Sequence, residues 1–371
     1  MFALDFVLGI RGPGQDSAAQ SYYTKGLSKN SNGQYVDAVH LFTKAIQLDS
    51  TFSLAYLNRA FAKYKLHDYK SAVADYNTAL KLKKLTWEES YEAYFNRGLA
   101  LAELADMKSA MANFNAAIRL NPRYADAYYN RSIVRGKAGD YEGELADINK
   151  VIALRPDDSK AYNSRGIVKS LMGNISDALP DFTQAIALDE KNTDAYYNRG
   201  LIYYEMKDYR NALIDFSKAI QIKPDAELYV RRGNVKSQLT DLRGAFEDYS
   251  EAVKLQPGSY LGYLNRGKLK CELKDYQSAI EDYDLAIQLQ PDCAMAYYER
   301  GLAKNNLKDS KDVLEDYNMA IEYKPDFENA YYQRGMIKCQ NGDRRGGCED
   351  LNKAVRYGCE QAYYYMVENC K

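Results

Sequence analysis

The most chemical feature of this sequence is a spacing: an arginine followed sixteen residues later by an acid or its amide. Arg59 precedes Asp75, Arg97 precedes Asn113, Arg131 precedes Asp147 and Arg165 precedes Asp181. Arg199 with Asp215, Arg232 with Asp248, Arg266 with Asp282, Arg300 with Asp316 and Arg334 with Asp350 continue the series. Once more the two places hold Lys25 and Leu41, so where the arginine is missing the acid is missing too. This covariation reads as a repeated ion pair, between the two helices of one unit or between neighbours. Exposed pairs of that kind are worth ~0.2–1 kcal/mol each. A row of arginines free to bind anions does not follow, because the acids cancel it.

Other chemistry is thinly represented. His40 and His67 are the only histidines, so the commonest general base and metal ligand is nearly absent. All six cysteines lie late, at Cys271, Cys293, Cys339, Cys348, Cys359 and Cys370, with no CxxC pair among them. An oxidised pair among Cys348, Cys359 and Cys370 and a set of small buried thiols are both open readings. Gly12-Pro13-Gly14 has neither the spacing nor the lysine of a phosphate loop, and the carboxylates recur at fixed surface positions instead of pairing for acid–base work. Asn130-Arg131-Ser132 and Asn174-Ile175-Ser176 match the glycosylation sequon, the first inside a helix. The expectation is a protein with no enzymatic activity, cofactor or metal.

Composition narrows the partners. The 371 residues are 46% apolar and 27% charged, with a formal charge of -1, which suits a folded protein and argues against a nucleic-acid surface. The opening run Met1–Ile10 is too short to span a bilayer, lacks a basic start and carries Asp5, and no other segment is a membrane candidate. A cytoplasmic location is expected, with an exported one as the alternative if the late cysteines are oxidised.

The elements that position these residues emerge when the chain is slid along itself. Small residues recur at Gly26, Ala60, Gly98, Ser132, Gly166, Gly200, Gly233, Gly267, Gly301 and Gly335, 34 apart except for one gap of 38 and one of 33. Four residues before each stands a tyrosine, from Tyr22 and Tyr56 to Tyr297 and Tyr331. Sixteen after it comes Phe42, Tyr76, Phe114, Ile148, Phe182, Phe216, Tyr249, Tyr283, Tyr317 or Leu351, and nineteen after it Ala or Val. Pro closes six units. Each unit is two short helices and a turn: Tyr196, Gly200 and Tyr203 share one helical face, Lys207-Asp208 turn with Asp208 capping the next helix, and Ala212, Phe216 and Ala219 line its inner stripe. One pair cannot bury its apolar face alone, so neighbours must stack. Three irregularities stand out: Glu144 in a place normally held by Ala, with Arg135 its expected partner; Pro180, expected to kink its helix; and Trp87, in the extra stretch 85–90.

This aromatic–Gly–Ala–aromatic–Pro pattern resembles the tetratricopeptide repeat over about nine-tenths of the chain. The resemblance implies an all-α, right-handed superhelical solenoid of ten helix-turn-helix units plus a C-terminal capping helix. The units fall at 19–52, 53–86, 91–124, 125–158, 159–192, 193–225, 226–259, 260–293, 294–327 and 328–361, after an N-terminal extension (1–18) and before a cap at 362–371. It further implies that the first helices line a concave groove. There Asn58, Asn96, Asn130, Asn198 and Asn265 would meet the backbone of an extended peptide, with Phe95, Tyr129, Tyr197, Tyr64 and Tyr204 supplying contact area. The places that match the family's carboxylate clamp hold Tyr23, Leu27, Asn58, Glu92 and Asn96, without a cation. Only Arg231 and Asn234, with Lys268, are similar to such chemistry. The implied role is an adaptor or scaffold that binds a protein or peptide; the alternative is a structural component that self-associates or stacks through its repeat edges or ends.

Overall fold

The computed structural model describes residues 18–307 and 312–370, so the expectations for the first seventeen residues lie outside it. Every regular element in the described residues is a helix, and the chain divides into two compact units after Glu190. The first unit holds α1 (Ala18–Ser31), α2 (Tyr35–Leu48), α3 (Ser53–Lys65), α4 (Tyr69–Lys81), α5 (Trp87–Glu103), α6 (Met107–Leu120), α7 (Ala125–Lys137), α8 (Tyr141–Leu154), α9 (Ser159–Leu171) and α10 (Ile175–Leu188). The second begins with α11 (Thr193–Glu205), α12 (Tyr209–Ile222), α13 (Ala226–Gln238), α14 (Leu242–Leu255), α15 (Tyr260–Glu272) and α16 (Tyr276–Leu289). It ends with α17 (Ala294–Asn306), α18 (Val313–Tyr323), α19 (Glu328–Gln340), α20 (Arg344–Arg356) and α21 (Glu360–Asn369), the last starting two residues before the expected cap.

Each odd-numbered helix packs along the even-numbered one that follows it, α1 on α2 through α19 on α20. The small residues make this possible. A methyl at Gly98 would lie 2.7 Å from the Phe114 ring, and one at Gly233 would lie 2.6 Å from that of Tyr249. Sharp turns join the helices of a pair. Asp68, Asp106, Asp140, Asp208, Asp241, Asp275 and Asp343 each accept a hydrogen bond from the backbone N–H three residues on, as expected for Asp208. The residue before each cap is left-handed: glycine at Gly139 and Gly342, but Thr240, with φ 61°, before Asp241.

Successive odd-numbered helices also touch, α1–α3–α5–α7 in the first unit and α13–α15–α17 in the second. The odd helices therefore crowd together on one side of each stack, which makes their outward surface the inner face of the curve.

The arginine–aspartate spacing resolves into an ion-pair staple in eight helix pairs, three-way in seven of them. Eight arginines meet their acids at 2.5–2.8 Å, always between the two helices of one pair. A second cation one turn after the arginine reaches the same carboxylate: Lys63, Arg135, Lys169, Lys236, Lys270, Lys304 or Lys338. The other guanidinium nitrogen reaches back to the preceding even helix, from Arg59 to Thr43, Arg131 to Asn115, Arg165 to Asn149 and Arg334 to Asn318. Each arginine also lies 5.2–5.9 Å from the ring of the recurrent tyrosine three residues before it, which explains why that tyrosine recurs. The expected weight of these pairs needs correction. The acids are buried, Asp215 completely, so removing one partner strands a desolvated charge and costs about 3–5 kcal/mol.

Of the irregular spots, Glu144 resolves differently from expectation. Arg135 turns away from Glu144 to bond Asp147, Asp140 and the Gly143 carbonyl, because Asp147 is the buried acid of its pair. Glu144 instead fills the space above Gly136, where any methyl would collide with it, and burial raises its pKa. Helix α10 runs through Pro180 without a break. Trp87 opens α5 behind a Thr86–Glu89 capping box and is 55% exposed, with its ring against Tyr91.

Candidate functional site

The inner face of the odd helices is not uniformly available. In the first unit two of its crevices are plugged. A ring from one odd helix meets a ring at the start of the next: Tyr23 with Phe52 at 4.7 Å, and Phe95 with Tyr124 at 4.9 Å. Tyr298 and Phe327 plug another in the second unit, at 4.9 Å. The corresponding residues between α13 and α15 are Val230 and Ser259, too small to meet. A cavity of about 310 Å³ opens there, lined by Glu227, Arg231 and Asn234 of α13, Leu261 and Asn265 of α15, and Gln256 and Ser259 between α14 and α15.

This cavity is polar and organised. Arg231 donates to Glu227 at 2.9 Å, and the same carboxylate oxygen accepts from the Tyr197 hydroxyl at 2.5 Å. These bonds, the tyrosine's first, hold the Glu227 carboxyl below its ordinary pKa, while burial and the Glu227 bond raise that of Tyr197. The Asn234 carbonyl accepts from the Tyr249 hydroxyl at 2.8 Å. Tyr204 stands near enough to Arg231 for the cation to oppose the upward push that burial and Tyr209 give its pKa. Next along, Lys268 lies 3.7 Å from Glu299, whose pKa burial raises against the pull of Lys268. Arg231 Nε is buried and makes no hydrogen bond, while the guanidinium as a whole has Glu227 and Tyr197 beside it.

Of the expected contact residues, Tyr197, Tyr204 and Asn265 come together around this cavity, and Asn198 is half-buried on the same helix as Tyr197. Others do not present themselves. Asn58 is buried and donates to the Tyr23 hydroxyl and the Leu54 carbonyl; Asn96 is buried; Phe95 is packed between Phe114 and Tyr124; Tyr64 lies in the core against Tyr69. Asn130 and Asn265 donate to the carbonyls four residues back, of Asp126 and Leu261. A helical asparagine has a carbonyl acceptor one turn away, and both take it, Asn265 even at the open cavity. Tyr129 is half-buried, 3.3 Å from the Ser164 hydroxyl.

Glu227, at the centre of the cavity, was not among the expected contacts, and Arg231 was noted only for its likeness to a carboxylate clamp. The signal that locates them is a break in the repeat. Two residues before the small residue the sequence runs Asn58, Asn96, Asn130, Ser164, Asn198 and then Arg231, Asn265, Glu299. One residue after it, Phe61, Leu99, Ile133, Ile167 and Leu201 give way to Asn234 and Lys268.

Comparisons with known proteins agree with this architecture. Models of the tetratricopeptide repeat match residues 91–124, 193–225, 226–259 and 262–293, and a TPR repeat model matches 171–207. No curated protein matches the chain. Among solved structures, the C-terminal part of a TPR repeat-containing protein from Cytophaga hutchinsonii is 17% identical with a TM-score of 0.53, over 63% of this chain and 95% of that chain. The APC/C hetero-tetramer Cut9-Hcn1 is 14% identical with a TM-score of 0.52, over 95% of this chain and 90% of that chain. At these identities the likeness is one of fold.

Proposed function

The chain belongs to the tetratricopeptide-repeat family, and from that premise we propose that it is a non-enzymatic scaffold whose second unit grips an extended peptide on the inner face. The observation that carries this reading is the open crevice between α13 and α15, lined by Arg231, Glu227, Asn234 and Asn265, where three other crevices of the described residues are plugged by ring pairs. Asn234 and Asn265 bracket the crevice and supply amide groups that match a peptide backbone. Arg231, already half-neutralised by Glu227, takes an acidic side chain or carbonyl. Tyr197 and Tyr204 flank it with rigid surface of low entropic cost.

A library of extended peptides, displayed on phage and selected on the full chain, tests this. Enriched peptides should carry an acidic residue, and Arg231→Ala should weaken their binding by roughly tenfold or more. Asn96→Ala, in a plugged crevice, should leave their affinity unchanged. An absence of enrichment, or equal binding by the Arg231 variant, refutes the reading.

A further inference from the structure

The C-terminal end carries chemistry that peptide binding does not use. The sulfurs of Cys348, on α20, and Cys370, just past α21, are joined in a disulfide. A third sulfur, that of Cys339 on α19, is free, and all three lie within 4.8 Å of one another. Two features of the local sequence produce this. The position where the other pairs place Ala, Val or Glu is Gly347, and any methyl there would collide with the Cys339 sulfur, so the missing side chain makes room for the thiol. Without that side chain the α19 and α20 backbones also come into contact: a methyl at Gly347 would lie 2.7 Å from the Gly335 carbonyl oxygen and 2.9 Å from the Cys339 nitrogen. Cys271, which occupies the Cys339 place in its own pair, faces Ala279 and a tyrosine hydroxyl and has no disulfide beside it. The fourth late cysteine, Cys359, is buried apart from the group.

A thiol held against a disulfide has one reaction open to it without any outside reagent. We propose that Cys339, Cys348 and Cys370 form a thiol–disulfide exchange centre that latches and unlatches the last helix. The Cys339 thiolate attacks the Cys348 sulfur; a Cys339–Cys348 bond forms, the Cys348–Cys370 bond breaks, and Cys370 departs as a thiolate that takes up the proton Cys339 gave up. Nothing is oxidised or reduced overall. The direction is set by the packing, since α19 and α20 already lie backbone to backbone while Cys370 lies past the end of α21. In the starting state the disulfide ties that end to α20, reinforced by the bond from Arg344 to the Asn369 carbonyl. In the exchanged state α21 keeps its packing through Ala362, Tyr365 and Met366 but loses its covalent tie to α20. A depression of about 530 Å³, lined by Arg344, Arg345, Cys348, Glu349, Asn352 and Cys370 but not by Cys339, exposes the disulfide on the side facing away from that thiol.

The full chain, oxidised with a small-molecule disulfide and freed of it, is incubated at mildly alkaline pH, acid-quenched, labelled in denaturant with a thiol-alkylating reagent and mapped by mass spectrometry. Wild type should carry the label on Cys370 in about a tenth of chains or more and on Cys339 in the rest. Cys339→Ser should carry none on either Cys348 or Cys370, with unchanged helical circular dichroism. Label confined to Cys339 in wild type after prolonged incubation overturns the proposal. So does label on Cys348 in place of Cys370, or label on all three cysteines.

Discussion

Helix pairs α5/α6 and α13/α14 share one backbone plan and do opposite things with it. Each carries a glutamate six residues before its glycine, Glu92 and Glu227. In the first, Phe95 and Tyr124 close the crevice, and no cation reaches the glutamate. Burial, then Glu89 and Glu88, push the Glu92 pKa up to about 7. In the second, Val230 and Ser259 leave the crevice open, and Tyr197 and Arg231 hold Glu227 down. Behind the crevices the contrast repeats. Arg97 meets the neutral Asn113, and burial lowers its pKa, whereas Arg232 meets Asp248 and is raised by that bond. One scaffold thus yields a sealed joint or a socket, and two ring-to-small changes with one added cation decide which.

The staple behind each crevice gives the largest test. Asp248→Ala should cost about 3–5 kcal/mol in urea unfolding, because Arg232 and Lys236 are left without their buried acid. Its counterpart Asn113→Ala should cost about 1 kcal/mol, the loss of neutral partners. Equal costs would erase the distinction between the two joints. Next, Ser259→Tyr should plug the socket as Tyr124 plugs the other, weakening any selected peptide by roughly tenfold while the fold stays intact. Unchanged affinity would mean that the peptide binds elsewhere.

Glu92 supplies a pH test. Its folded pKa lies above the unfolded value, so the fold favours the protonated carboxyl; stability gains as pH falls through about 7 and is smallest above it. Glu92→Gln should therefore stabilise the chain at pH 8 by roughly 1 kcal/mol and have little effect near pH 5, read by thermal unfolding at the two values. An equal gain at both would mean that the carboxyl does not titrate in that range. Smallest of all, Thr240→Gly, in the turn before α14, should stabilise by up to about 1 kcal/mol by relieving a β-branched residue with φ 61°.

Much of this was legible in the sequence because it depends on period. The glycine-to-ring spacing of sixteen is the close approach of two helices, and the arginine-to-aspartate spacing is the staple. The weight of the staple was not legible: burial of Asp75 or Asp215 depends on neighbouring pairs closing over it, which no single unit reveals. The asparagine row was misread at Asn58 and Asn96 for the same reason. Their residue type suits a peptide backbone, but Tyr23 and the plugging rings take up the space and the bonds first. Arg231 shows the converse, since its departure from the row, with that of Asn234, marks the place where the crevice stays open.

The arginine staple also bears on how such a chain changes length. Because the acid, the second cation and the recurrent tyrosine all lie within one 34-residue period of their arginine, gene duplication or slippage in whole periods copies or deletes the set together. An array gaining or losing a whole unit carries no orphaned charge into its interior, whereas a cut between an arginine and its acid does. The polar interior of this protein is thereby tolerant of recombination between units and hostile to it within them.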